Sequence, residues 1–110
     1  EFLISKRYFM EYFNELLNDD VTFSSNENRG YVEISAKNNS SKKINRIHFT
    51  ILYYDRSGKL IDFENVQDYS IRSKKTDELT GYGVWDDKNA EYLKFDDYEV
   101  ILDYAENYKY

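Results

Sequence analysis

The sequence predicts a mainly β domain, an antiparallel sandwich or barrel of short strands preceded by one amphipathic α-helix. From about residue 20 onward, β-branched and aromatic residues alternate with polar ones in short runs separated by turn-forming residues, with no helical pattern between them. Before that point the apolar spacing is helical. At 110 residues the chain suits one core rather than two, and it carries no internal repeat of solenoid or propeller length. The expected division is a helix over 1–19, linking to any upstream region, and a β domain over 20–110.

Between Phe2 and Leu17, Phe9, Tyr12, Phe13, Leu16 and Leu17 recur at helical spacing, with Lys6, Arg7, Glu11, Asn14 and Glu15 between them. Asn18, Asp19 and Asp20 then form a polar stop. Strands are expected at Val21–Phe23 and Tyr31–Lys37, the second placing Val32, Ile34 and Ala36 on one face. Residues 38–42 read as a turn, because Asn and Ser side chains bond the backbone nearby. Ile44–Tyr54 is the clearest strand, with Ile47, Phe49, Ile51 and Tyr53 facing the core. Asp55–Gly58 closes a hairpin that returns along Lys59–Phe63.

Further on, shorter strands are expected at Tyr69–Arg72 and Glu78–Tyr82, and the acidic stretch Trp85–Asn89 reads as a loop or helical turn. Tyr98–Tyr104 is the last strand, with Tyr98, Val100, Leu102 and Tyr104 pointing one way. The tail from Glu106 is expected to fray.

The net charge of −6 opposes binding to a phosphate backbone or an anionic membrane, which require excess Lys and Arg, so a nucleic-acid role is not expected. It suits solubility, or docking onto a basic protein. The absence of Cys removes disulfides, thiolate nucleophiles and thiolate metal sites. No apolar run is long enough to span a membrane. Because the chain opens on Glu1 rather than Met, an upstream segment is expected.

The stretch 37–42 (Lys-Asn-Asn-Ser-Ser-Lys), the strand from Ile47 to Asp55, and Ser57-Gly58-Lys59-Leu60-Ile61 together resemble bacterial FxLYD-type domains. In that family an Asn-rich turn joins two strands, and the second ends in a Tyr-Asp pair before a Gly hairpin. Here the pair is Tyr54-Asp55, while the family's Phe and Leu positions hold Ile51 and Tyr53. The resemblance covers roughly 31–63. It implies an immunoglobulin-like sandwich found in cell-envelope or lipid-anchored proteins, with no catalytic residues of its own.

Signs of chemistry are sparse. His48 is the single histidine, so a multi-histidine metal site is excluded, and no Gly-x-Ser-x-Gly elbow accompanies it; an exposed strand residue is expected. The acidic pairs Asp19-Asp20, Asp86-Asp87 and Asp96-Asp97 lack the spacing of an EF-hand loop. Gly81-Tyr82-Gly83 fits a bulge or tight bend. We expect no enzyme activity, no metal and no cofactor.

Twelve tyrosines, seven phenylalanines and one tryptophan are more aromatic residues than one small core can bury. Strands use Tyr for cross-strand packing, but exposed Tyr also marks surfaces that bind proteins or sugars. The candidate binding residues are Tyr54, Tyr82, Trp85 and Tyr92, the last three in or beside the least regular segment. The expected function is a monomeric interaction or spacer domain of a bacterial cell-envelope protein, binding protein or glycan outside the cytoplasm. The alternative is a free-standing cytoplasmic acidic inhibitor of the immunity type that captures a basic protein.

Overall fold

Alternation of apolar and polar residues sets the layout of the chain, because in a strand it sends one set of side chains inward and the other outward. The computed structural model describes residues 13–108. Along them run β1 (Phe13–Leu16), β2 (Val21–Asn28), β3 (Tyr31–Asn38), β4 (Ile44–Tyr54), β5 (Leu60–Ile71), β6 (Thr76–Gly81), β7 (Trp85–Asp86), β8 (Glu91–Tyr92) and β9 (Asp97–Tyr108). Among the described residues the helical structure is a single 3-10 turn at Asn18–Asp20.

Every described strand pairing is antiparallel. One sheet has the order β1-β9-β4-β5, a second the order β2-β3-β6, and β7 with β8 forms a small separate hairpin. Both larger sheets contribute to one core. From the first come Ile47, Phe49, Ile51 and Ala105, and from the second Val32, Ile34 and Ala36, all fully buried. Each large apolar side chain withdrawn from water in this way stabilises the fold by roughly 1.5–3 kcal/mol. Phe23 of β2 adds an edge-on contact to Phe49, with ring centroids 5.1 Å apart.

The predicted inward faces of β3 and β4 are the observed ones. Other expectations change. Of the helix expected over Phe2–Leu17, residues 1–12 lie outside the described residues, and Phe13–Leu16 is a strand. It pairs with the end of β9, Phe13 opposite Tyr108 and Leu16 opposite Glu106. Leu16 is exposed and Leu17 buried, a strand-like alternation, and the Leu17 amide donates to the Ala105 carbonyl at 2.6 Å.

Tyr104 does not share a face with Leu102. His48 pairs with Tyr104 while Phe49 pairs with Leu102, so Asp103 is an extra residue in β9. This bulge reverses the side-chain alternation beyond it. Tyr104 therefore stacks on the outward His48, at 5.2 Å and 14° between ring planes, and Ala105 turns into the core. The tail does not fray at Glu106, because β9 continues to Tyr108 and the buried Glu106 carboxylate meets Arg46 at 3.2 Å.

The two expected strands Lys59–Phe63 and Tyr69–Arg72 are parts of one, β5. Its inward positions escape a hydrophobic pattern because several are acidic: Glu64 lies opposite Ile51, and Asp68 opposite Ile47. Likewise β2 extends five residues beyond Phe23 through a polar run, as one side of it has no neighbouring strand among the described residues. The expected loop over Trp85–Asn89 holds only from Asp87 on. Trp85 and Asp86 form β7, and the Asp86 carboxylate accepts hydrogen bonds from the Lys88 amide and the Asn89 side chain in the turn toward β8.

Where β3 meets the turn into β4, the fully buried Asn38 satisfies all of its side-chain capacity. Its Nδ2 donates to the carbonyls of Lys42 (2.7 Å) and Ile71 (3.1 Å), and its Oδ1 accepts from the amide and hydroxyl of Ser40. One side chain thus shapes the predicted turn and ties the second sheet to the end of β5.

Candidate functional site

The opposite end of the molecule gathers the start of β3, the ends of β2, β4 and β6, the start of β9, and the β7-β8 hairpin. Its local geometry begins with Arg29-Gly30, both at positive φ (54° and 86°), a two-residue turn that suits the twist of the paired strands. The Glu27 carboxylate accepts the Gly30 amide at 2.7 Å. This turn brings Tyr31 to the rim, and the β3-β6 register, with Val32 opposite Gly81, puts Tyr82 beside it.

Gly81 and Gly83 are required for different reasons. A Cβ on Gly81 would collide with Ile51 Cδ1, so any side chain there would force the buried Ile51 to shift. Gly83 has φ +90°, in the left-handed region that favours glycine. The close approach lets Glu64 reach across from β5 and accept three hydrogen bonds, from the Tyr53 hydroxyl (2.6 Å), the Tyr82 amide (3.1 Å) and the Gly83 amide (3.1 Å). Burial, followed by the bond to Glu64, pushes the Tyr53 hydroxyl well above the ordinary tyrosine range.

Beyond this anchored bend lies a groove of about 460 Å³. Tyr31, Tyr82, Tyr92 and Phe95 supply aromatic surface, while Glu27, Arg29, Lys94 and Asp96 supply charge. Tyr31 and Tyr82 meet edge to face at 5.7 Å, and Trp85 and Tyr92 at 5.1 Å. All four rings remain substantially in water: 44% exposed for Tyr31, 57% for Tyr82, 51% for Trp85 and 51% for Tyr92.

Of the four candidate residues, Tyr82 and Tyr92 line the groove, and Trp85 leans on Tyr92 just outside it. Tyr54 stands apart, in a neighbouring shallow depression that shares Asp96, with its hydroxyl donated to Glu99 at 3.2 Å. Sequence reasoning missed Tyr31, Phe95 and the anchoring Glu64. Asn28-Arg29-Gly30 ahead of Tyr31 was the available signal, since it marks a tight hairpin that returns Tyr31 to a strand end.

His48 is half-buried, not fully exposed. Its Nδ1 lies 2.6 Å from Asp103 Oδ2, and Thr50 Oγ1 donates to that same carboxylate at 2.6 Å. The neighbouring hydroxyl therefore serves the carboxylate rather than the imidazole, which differs from a nucleophile and base arrangement. Among the described residues, no three His, Asp or Glu side chains gather into a metal-binding group, and no helix is long and apolar enough to cross a membrane.

Comparison with known proteins finds no matching family model, and no significant match among curated proteins or solved structures.

Proposed function

We propose that the chain is a non-catalytic interaction domain that binds a protein or glycan through its aromatic end. The observation that carries this reading is the convergence of four half-exposed aromatic rings on one end of the molecule, beside a groove whose backbone is held by Glu64. Leaving large apolar rings in water is unfavourable, and a ligand that covers them recovers that free energy. A groove fixed in advance also loses less entropy on binding.

The finer fold reading is an immunoglobulin-like sandwich of the FxLYD type. Two antiparallel sheets sharing one core, the buried Asn38 turn, and the Asp55–Lys59 hairpin after Tyr54 support it. With that resemblance goes a place in the bacterial cell envelope, outside the cytoplasm, as a monomeric module.

The net charge of −6 favours the second reading, an acidic cytoplasmic inhibitor of a basic protein. The two differ in salt dependence, because attraction between exposed charges is screened beyond about 8 Å at physiological ionic strength. Screening the protein against immobilised glycans and displayed peptides, beside a Tyr82→Ala, Tyr92→Ala variant, tests the first reading. Expected is salt-tolerant binding by the unsubstituted protein that the variant loses while its near-native circular dichroism persists. Ligands retained in full by the variant would overturn it.

A further inference from the structure

The groove's own chemistry narrows its ligand. Resting on the reading of this end as a binding surface, we infer that the groove takes a neutral oligosaccharide. The first ground is charge. The lining holds Glu27 and Asp96 against Arg29 and Lys94, acids and bases in balance, within a chain of net charge −6. A site for a polycation would share the chain's acidic excess, and one for a polyanion would reverse it. A balanced lining offers donors and acceptors together, which suits a ligand of many hydroxyls and no net charge.

The second ground is the state of the backbone. An extended peptide binds chiefly through main-chain hydrogen bonds at an open strand edge. Around this groove five amides are already engaged internally: Gly30 with Glu27, Tyr82 and Gly83 with Glu64, Leu93 with the Val84 carbonyl, and Asp96 with the Tyr54 carbonyl. With these amides committed, side-chain polarity and ring surface supply a larger share of what the groove offers a ligand.

The third ground is the rings. Both aromatic pairs meet edge to face, at 80° and 78°, so parallel stacking does not cover their planes. The flat C–H face of a pyranose fits such a plane, because its slightly positive hydrogens meet the negative face of the ring. The apolar faces and hydroxyls of a glycan then match a lining that holds both rings and charged side chains.

The test is a titration of ¹⁵N-labelled protein with neutral hexasaccharides of glucose and of N-acetylglucosamine, followed by amide chemical shifts and Trp85 fluorescence. Parallel titrations use hexalysine, an uncharged glycine-serine hexapeptide and a polygalacturonate fragment. Expected are saturable shifts centred on Tyr82, Gly83 and Tyr92 with at least one neutral saccharide. The affinity should change less than about twofold between low and physiological salt, since no net charge is screened. Tyr82→Ala and Tyr92→Ala should each weaken it about fivefold or more. Saturable shifts at those residues with a peptide or the acidic glycan, and none with neutral saccharides, would overturn the inference while leaving the surface a binding site. Shifts with every probe that avoid these residues would overturn both.

Discussion

The two ends of β3 treat their polar and aromatic groups in opposite ways. At the Asn38 end, a buried amide side chain is fully engaged with the Lys42 and Ile71 carbonyls and with Ser40, so the polar groups hold the chain together. At the Tyr31 end, the half-buried carboxylate of Glu64 fixes the backbone, yet Tyr31, Tyr82, Trp85 and Tyr92 stay about half in water. The first end uses its side chains to close the fold, whereas the second uses a half-buried carboxylate to hold out others. That difference separates residues kept for stability from residues available to a partner.

The largest effect expected from breaking the comparison is at Asn38. Asn38→Ala takes the side-chain donor from the Ile71 carbonyl and the acceptor from the Ser40 amide, while the Lys42 carbonyl keeps the Ser40 hydroxyl, and should cost about 2–4 kcal/mol, given about 1–3 kcal/mol for each buried group left unpaired. Urea unfolding measures it. Binding at the aromatic end should be unchanged in the fraction that remains folded.

A smaller effect sharpens the account of how the two sheets meet. Asp68 of β5 and Asp77 of β6 face each other where the edges of the sheets adjoin, and Asp68 Oδ2 is buried without a hydrogen-bond donor. Burial and the neighbouring Asp77 push the Asp68 carboxyl up to about 6. The folded chain therefore keeps a proton that the unfolded chain, with an ordinary aspartate value of about 4, releases. By linkage, this pair's contribution to stability is full below about pH 4 and falls as the pH rises through about 6. Asp68→Asn should remove that descending slope in unfolding experiments across the same window. A slope identical to that of the unsubstituted protein would show that Asp68 is not its source.

How much of this was legible in the sequence follows from the same contrast. The core face of β4 was readable because β4 is flanked by β5 and β9 along its length, so burial forces strict alternation on Ile47, Phe49, Ile51 and Tyr53. The strand at Phe13–Leu16 was not, since Phe13, Leu16 and Leu17 also satisfy helical spacing and pairing to β9 decides between the two. The position of Tyr104 depends on one extra residue, Asp103, which leaves no hydrophobic signature. The inward acids of β5 hid the middle of that strand, because hydrogen bonding at Glu64 replaces apolar burial there.

The candidate site was half readable for a related reason. Tyr82, Trp85 and Tyr92 stood out as aromatic residues in an irregular segment. Tyr31 lies more than 50 positions from Tyr82, and only the pairing of Val32 with Gly81 brings them together. Tyr54, the fourth candidate, lies outside the groove with its hydroxyl committed to Glu99.

The most direct test of the claim that the aromatic rings are kept for a partner and not for the fold is the urea-unfolding free energy of the Tyr82→Ala, Tyr92→Ala variant. The account predicts a loss of no more than about 1.5 kcal/mol, because rings half in water keep each of the two edge-on contacts near the low end of the range of about 0.5–1.5 kcal/mol. A loss as large as that of Asn38→Ala would contradict it, and would make the exposed rings part of what holds the domain together.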